Sequence, residues 1–159
     1  MRIAPAPLDP IVKERTVPLE LGKAFELFTA RIGEWWPLAT HSISGSTSST
    51  VRFEPAVGGR IIEALADGTE HAWADVLAWD PPERFVVSWH PNPNPDAAST
   101  LEVRFHSVAE GTTIRLEHRG WEEFGQSQGL ELREGYTSGW EVVLSGFTHQ
   151  ADGLAPIAT

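Results

Sequence analysis

The chain has no cysteine. That excludes disulfides, thiolate metal sites and a cysteine nucleophile, and it fits a reducing compartment. Basic residues are scarce: 12 Lys and Arg stand against 22 Asp and Glu, for a net charge of −10. Nucleic-acid binding rests on Lys and Arg neutralising phosphates, and no local basic cluster offsets the deficit, so nucleic acid is excluded as a partner. An anionic membrane surface is disfavoured for the same reason, and the acidity reads as a solubility device. No apolar run approaches the roughly 20 residues of a membrane span. The opening Met1-Arg2-Ile3-Ala4-Pro5-Ala6-Pro7 lacks the apolar stretch of a signal peptide, so the expectation is a cytoplasmic protein. His41, His71, His90, His106 and His149 show no HxxH or HExxH spacing, and no metal site is expected. Nucleophile-elbow, phosphate-loop and dinucleotide motifs are missing, and Ser88 has no recognisable base. No cofactor is expected.

Aromatic residues are present in unusual proportion: seven Trp and seven Phe, but one Tyr, in 159 residues. An indole carries a large apolar body and one N–H that needs an acceptor. Such density builds a core or lines a pocket for an apolar or aromatic ligand, and composition does not separate the two. The length favours one domain, expected over residues 11–153 between a flexible Pro-rich arm, 1–10, and a tail, 154–159.

Hydrophobic periodicity orders the elements. Ile11 to Val17 alternates as a first strand, and Leu21, Ala24, Phe25 and Phe28 then mark a helix over Leu19 to Ala30. Ile32, Trp35 and Trp36 form a second helical turn stopped by Pro37, and His41 to Thr50 is a Ser/Thr-rich loop. Strands follow from Val51, Arg60, Glu70 and Arg84, with Asp67-Gly68 as a hairpin turn. Pro91 to Ala98 is a loop. Leu101, Val103 and Phe105 alternate with Glu102, Arg104 and His106, and Ile114, Leu116 and His118 do the same after Glu110-Gly111. Gly120 to Gly129 reads as a loop. From about Leu130 to Ala151, Leu132, Tyr136, Trp140, Val143, Leu144 and Phe147 draw one helical stripe, about 30 Å long at 1.5 Å per residue and able to cross a whole sheet. The fold class is α+β: a curved antiparallel sheet of six or seven strands around a long C-terminal helix, with two short helices after the first strand.

Several phrases carry a resemblance: Phe53-Glu54-Pro55-Ala56-Val57-Gly58-Gly59-Arg60; Asp67-Gly68-Thr69-Glu70, then Trp73, then Trp79-Asp80-Pro81-Pro82-Glu83-Arg84; and Trp89, Leu116-Glu117-His118 and Gly139-Trp140. In this order they resemble the family of the C-terminal domain of the activator of the heat-shock-protein-90 ATPase. That family lies in the SRPBCC superfamily, beside START lipid-transfer domains, the birch-pollen-allergen (Bet v 1) fold and polyketide cyclases. The resemblance spans about Ile11 to Ala151. It implies a helix-grip fold with a cavity between helix and sheet, and no fixed cofactor. Such relatives bind lipids or other hydrophobic molecules, cyclise polyketides, sequester metabolites or bind chaperones. Stimulation of the chaperone ATPase depends on a separate N-terminal domain that a chain this short does not accommodate, so the family name is not read as the activity.

The candidate ligand-binding residues are Trp35, Trp36, Glu63, Trp73, Phe85, Val87, Trp89, Val103, Phe105, Leu116, His118, Tyr136, Trp140, Val143, Leu144 and Phe147. His118 shares parity with Ile114 and Leu116: it is either a polar handle or general base near neutral pH, or a buried neutral ring bonded to backbone or to an indole N–H. Glu63 shares parity with Ile61 and Leu65. Facing inward it would be a carboxyl in an apolar setting with a raised pKa, and one register step decides; the expectation leans to a solvated side chain, or one paired with Arg60 or Arg52. Tyr136 offers a hydroxyl to the cavity or its rim, and Trp140 a wall. Trp35-Trp36-Pro37 is a gate, a partner surface or a core plug. Gly135, Gly139 and Gly146 mark close approach to the helix, by a strand in the simplest case. The function expected is binding of a small hydrophobic or aromatic molecule. A cyclase or hydrolase with His118 as base and Tyr136 or Glu63 as acid is one alternative. The other is a protein-interaction module, with a partner or second copy on an exposed patch around Trp35, Trp36 or Trp121.

Overall fold

In a computed structural model, which describes residues 8–41, 49–90 and 98–154, the alternating segments form seven strands. They are β1 Ile11–Val17, β2 Thr50–Phe53, β3 Arg60–Ala64, β4 Glu70–Asp80, β5 Arg84–Trp89, β6 Ser99–Val108 and β7 Gly111–Arg119. All pair antiparallel in the order β1-β7-β6-β5-β4-β3-β2. The sheet curls into a half-barrel around the C-terminal helix, as expected of a helix-grip fold. Residues 1–7, most of the loops expected at 41–50 and 91–98, and residues 155–159 lie outside the described residues.

Helix α1 spans Leu21–Phe28, shorter than the spacing predicts. It closes where Thr29 Oγ1 donates back to the Phe25 carbonyl at 2.7 Å. The second helical turn is a 3-10 turn, Ile32–Glu34. Helix α2 runs 29 residues, Gln126–Leu154, starting before the expected Leu130. Its first turn, Gln126-Ser127-Gln128-Gly129, carries no apolar stripe to announce it. A Cβ on Gly129 would lie 2.2 Å from the Trp121 carbonyl oxygen, so glycine lets the helix start directly against the preceding segment. That segment, expected as loop, is a 3-10 turn, Trp121–Phe124, with Trp121 fully buried.

Two features fix α2 in the grip. Along the face toward residues 35–41, a Cβ on Gly146 would lie 2.7 Å from the Trp35 carbonyl oxygen. The close approach is therefore by the chain following the 3-10 turn Ile32–Glu34, not by a strand. Along the edge strand β1, Glu141 holds both Lys13 and Arg15. Arg133 donates to the carbonyls of Asp9 and Pro10 at 2.7 and 3.2 Å, and the Leu8 N–H donates to the Glu122 carboxylate.

The outer face of the sheet is charged. Glu102 lies on β6 among Arg84, Arg104 and Arg119. Burial pushes its carboxyl up, but the hydrogen bonds from Arg84 and Arg119 and the charges around it outweigh that and hold it below the usual carboxylate range.

Candidate functional site

The inward faces of three strands and α2 repeat one order of side chains. Along β5 it is Phe85, Val87, Trp89; along β7, Ile114, Leu116, His118. Read backward, β6 gives Phe105, Val103, Leu101, Ser99, and α2 gives Phe147, then Leu144 and Val143, then Trp140. The pairing Trp89↔Ser99 and Leu101↔His118 keeps the last group together at one end of the sheet. The sixteen candidate residues thus divide. Phe85, Phe105, Phe147 and Trp35 lie at a Phe-rich end with Phe25, Phe28 and Phe53. Val87, Val103, Leu116, Val143 and Leu144 are buried between. Trp36, Glu63, Trp73, Trp89, His118, Tyr136 and Trp140 gather at a Trp-rich end.

His118 is the centre of that second end. It is fully buried and touches Trp121, Tyr136, Trp140 and Trp89, with ring centroids 4.2, 5.1, 5.8 and 6.2 Å away. Trp140 Nε1 donates to its Nδ1 at 2.9 Å. An indole nitrogen can only donate, so Nδ1 is the acceptor and the ring proton sits on Nε2. From there it is donated to Ser99 Oγ at 2.6 Å, and Ser99 donates onward to the Trp89 carbonyl at 3.4 Å. Trp121 Nε1 donates to the His118 carbonyl at 3.0 Å. With both ring nitrogens occupied and the ring out of water, desolvation lowers the His118 pKa to about 3. The imidazole is neutral near pH 7 and its basic nitrogen is taken.

Glu63 departs from the expected solvated position. It is fully buried and accepts from Trp73 Nε1 at 3.2 Å, while Arg52 pairs with Glu70 and Arg60 is exposed. The register decides it: Glu63 opposes Val51 and Ile61 opposes Phe53, and both β2 partners face the core. Tyr136 is half-buried, and its oxygen accepts from Trp89 Nε1 at 3.2 Å. Burial raises its pKa, only partly offset by that bond. The exposed apolar patch that would favour the interaction-module alternative, around Trp35, Trp36 or Trp121, is not formed by these rings, which are 6%, 9% and 0% exposed and packed on other rings. Two members of the Trp-rich end were not among the candidates. Ser99 shares parity with Leu101 and Val103, a signal that was there to be read; Trp121 sits in a segment with no period.

Among the described residues no group of three or more His, Asp or Glu is placed to hold a metal ion, and no helix is long and apolar enough to cross a membrane. An open groove of about 350 Å³ over Pro18–Leu21 and Ser107–Gly111 involves none of the candidates.

The model of the family described as activator of Hsp90 ATPase homolog 1-like protein matches residues 19–151. The chain belongs to this family. Solved structures with the same fold include the Aha1 dimer from Colwellia psychrerythraea, with a TM-score of 0.68 and 13% identity over 91% of this chain and 97% of that one. Protein MLL2253 from Mesorhizobium loti gives a TM-score of 0.63 and 22% identity over 88% and 94%. Txn09, an anthrahydroquino-γ-pyrone synthase solved in complex with a molecule designated SUM, gives a TM-score of 0.59 and 28% identity over 90% and 97%. No curated protein matches the sequence significantly.

Proposed function

We propose that this member of the activator of Hsp90 ATPase homolog 1-like family binds a small hydrophobic or aromatic molecule at the Trp-rich end, between α2 and the sheet. The observation that carries this is the set of indoles gathered around a neutral histidine, with Tyr136 as the half-buried member of the cluster. A purely structural core needs no such polar chain; the Phe-rich end is packed without one. Rings placed this way supply flat apolar surface, worth about 25 cal/mol per Å² removed from water, and the internal hydrogen bonds hold the walls in place before a ligand arrives. The reading invokes no metal and no cofactor, and it places the cysteine-free chain in the cytoplasm.

The likeness to Txn09, an anthrahydroquino-γ-pyrone synthase, favours a second reading: a cyclase-type enzyme using the same interior. His118 is not its base, because its acceptor nitrogen is held by Trp140 and its pKa is depressed. Catalysis here would rest on holding the substrate in a reactive shape.

Native mass spectrometry of the freshly purified protein, with solvent extraction, tests the binding reading. A discrete mass released on denaturation, and lost in Trp140→Ala protein that retains its circular dichroism, is the expected result. A bare chain that also fails to take up the neutral probe N-phenyl-1-naphthylamine overturns it. The same spectrum reads a homodimer, the partner to which the dimeric Colwellia relative points.

A further inference from the structure

The polar atoms at the Trp-rich end can be counted donor by donor. Trp140 donates to His118 Nδ1, Trp121 to the His118 carbonyl, Trp73 to Glu63, Trp36 to the His41 carbonyl at 2.6 Å, and Trp89 to the Tyr136 oxygen. The His118 Nε2 proton goes to Ser99, and the Ser99 proton to the Trp89 carbonyl. Every indole N–H of the cluster and both imidazole nitrogens are committed within the protein. Among the rings of the cluster one donor remains: the Tyr136 hydroxyl accepts from Trp89, and among the described residues nothing accepts from it, while the neighbouring Thr137 hydroxyl is buried without a partner. A hydroxyl that is already accepting is polarised and donates more strongly. Tyr136 is also the half-buried member of the cluster, whereas Trp36, Trp73, Trp89, His118, Trp121 and Trp140 are all buried, so the free donor belongs to the one ring of the cluster that is partly open to solvent. Among the described residues, no hydrogen bond of these side chains involves Lys or Arg, so no cation stands ready for a carboxylate or phosphate, whose desolvation would go uncompensated.

We propose that the Tyr136 O–H is the specificity-determining donor of the site, and that it selects uncharged aromatic molecules bearing a carbonyl-type acceptor. This rests on the binding reading above and goes beyond it in naming the ligand chemistry.

Equilibrium dialysis with three naphthalenes of similar size tests it: 2-acetylnaphthalene, a neutral ketone; 2-ethylnaphthalene, the hydrocarbon; and 2-naphthoate, the anion. The protein should retain the ketone about three- to tenfold more tightly than the hydrocarbon, the range expected of one net hydrogen bond, and the anion most weakly. In Tyr136→Phe the ratio of ketone to hydrocarbon retention should fall to about one, although the change also takes the acceptor from the Trp89 N–H. Near-ultraviolet circular dichroism of the indoles checks that the Phe variant keeps its fold and its apolar walls. Equal retention of ketone and hydrocarbon by the wild type, a ketone preference that survives in Tyr136→Phe, or naphthoate binding tightest overturns the role given to Tyr136 while leaving the binding reading in place. Retention of none of the three overturns both.

Discussion

At one end of the interior, Phe25, Phe28, Phe53, Phe85, Phe105 and Phe147 meet ring against ring at centroid distances of 5.0 to 6.3 Å, and the one indole buried among them, Trp35, gives its N–H to the Leu27 carbonyl. At the other end the rings are also 4.2 to 6.2 Å apart, but nearly every one is tied to a particular neighbour by a hydrogen bond. The first end is specified by volume, the second by donor and acceptor. An apolar core tolerates a change of shape that keeps its volume. A buried polar chain does not, because removing one partner strands the other away from water.

The largest effect that could break this contrast is at the Phe-rich end. Phe147→Ala should cost about 3–5 kcal/mol in chemical denaturation, and a loss below about 1 kcal/mol would mean that this end is not a packed core. Next in size is the response to acid, which belongs to the Trp-rich end. The folded pKa of His118 is lowered from 6.5 to about 3, so between those values the unfolded chain binds the proton and the folded one does not. This contribution to stability is complete above pH 6.5, falls as the pH drops through the window, and levels off near pH 3. At pH 5 the loss amounts to about 2 kcal/mol. Denaturation midpoints from pH 7 to 5 should show it in the wild type and in Phe147→Leu, and His118→Gln, neutral throughout, should flatten it. The smallest and sharpest comparison is Trp140→Phe with Phe147→Leu. The second should cost under about 1.5 kcal/mol. The first frees Nδ1, so it should additionally raise the His118 pKa, readable by NMR titration of the imidazole. An unmoved pKa would show that the Trp140 bond does not hold the tautomer.

Much of this division is legible in the sequence. The alternation of β5, β6 and β7 and the stripe of α2 place His118, Trp89 and Trp140 inward together without any coordinates. What is not legible depends on partners across the sheet. Whether Glu63 is wet or dry is decided by its pairing with Val51, which the β3 sequence does not contain. Trp121 follows Gly120 in a short 3-10 turn where no period exists to read, and its burial depends on Gly129 admitting the carbonyl of that turn against the helix. The tautomer of His118 and the spare proton of Tyr136 emerge only when the donors of the ring cluster are matched to their acceptors.

The clasp of α2 on β1 has a consequence for assembly. A strand at the border of a sheet is an open template, ready to be extended by a strand of another molecule. Here Lys13 and Arg15 of that border strand turn toward the helix and are drawn together by Glu141, while Arg133 takes the carbonyls of Asp9 and Pro10. Each exposed ion pair is worth little as stability, but together they crowd this margin with charge. The opposite margin, β2, has only four residues to offer. Among the described residues neither margin is both long and free of charge, so a homodimer is expected to meet through helices or faces, and misassembly by strand addition is discouraged from both sides.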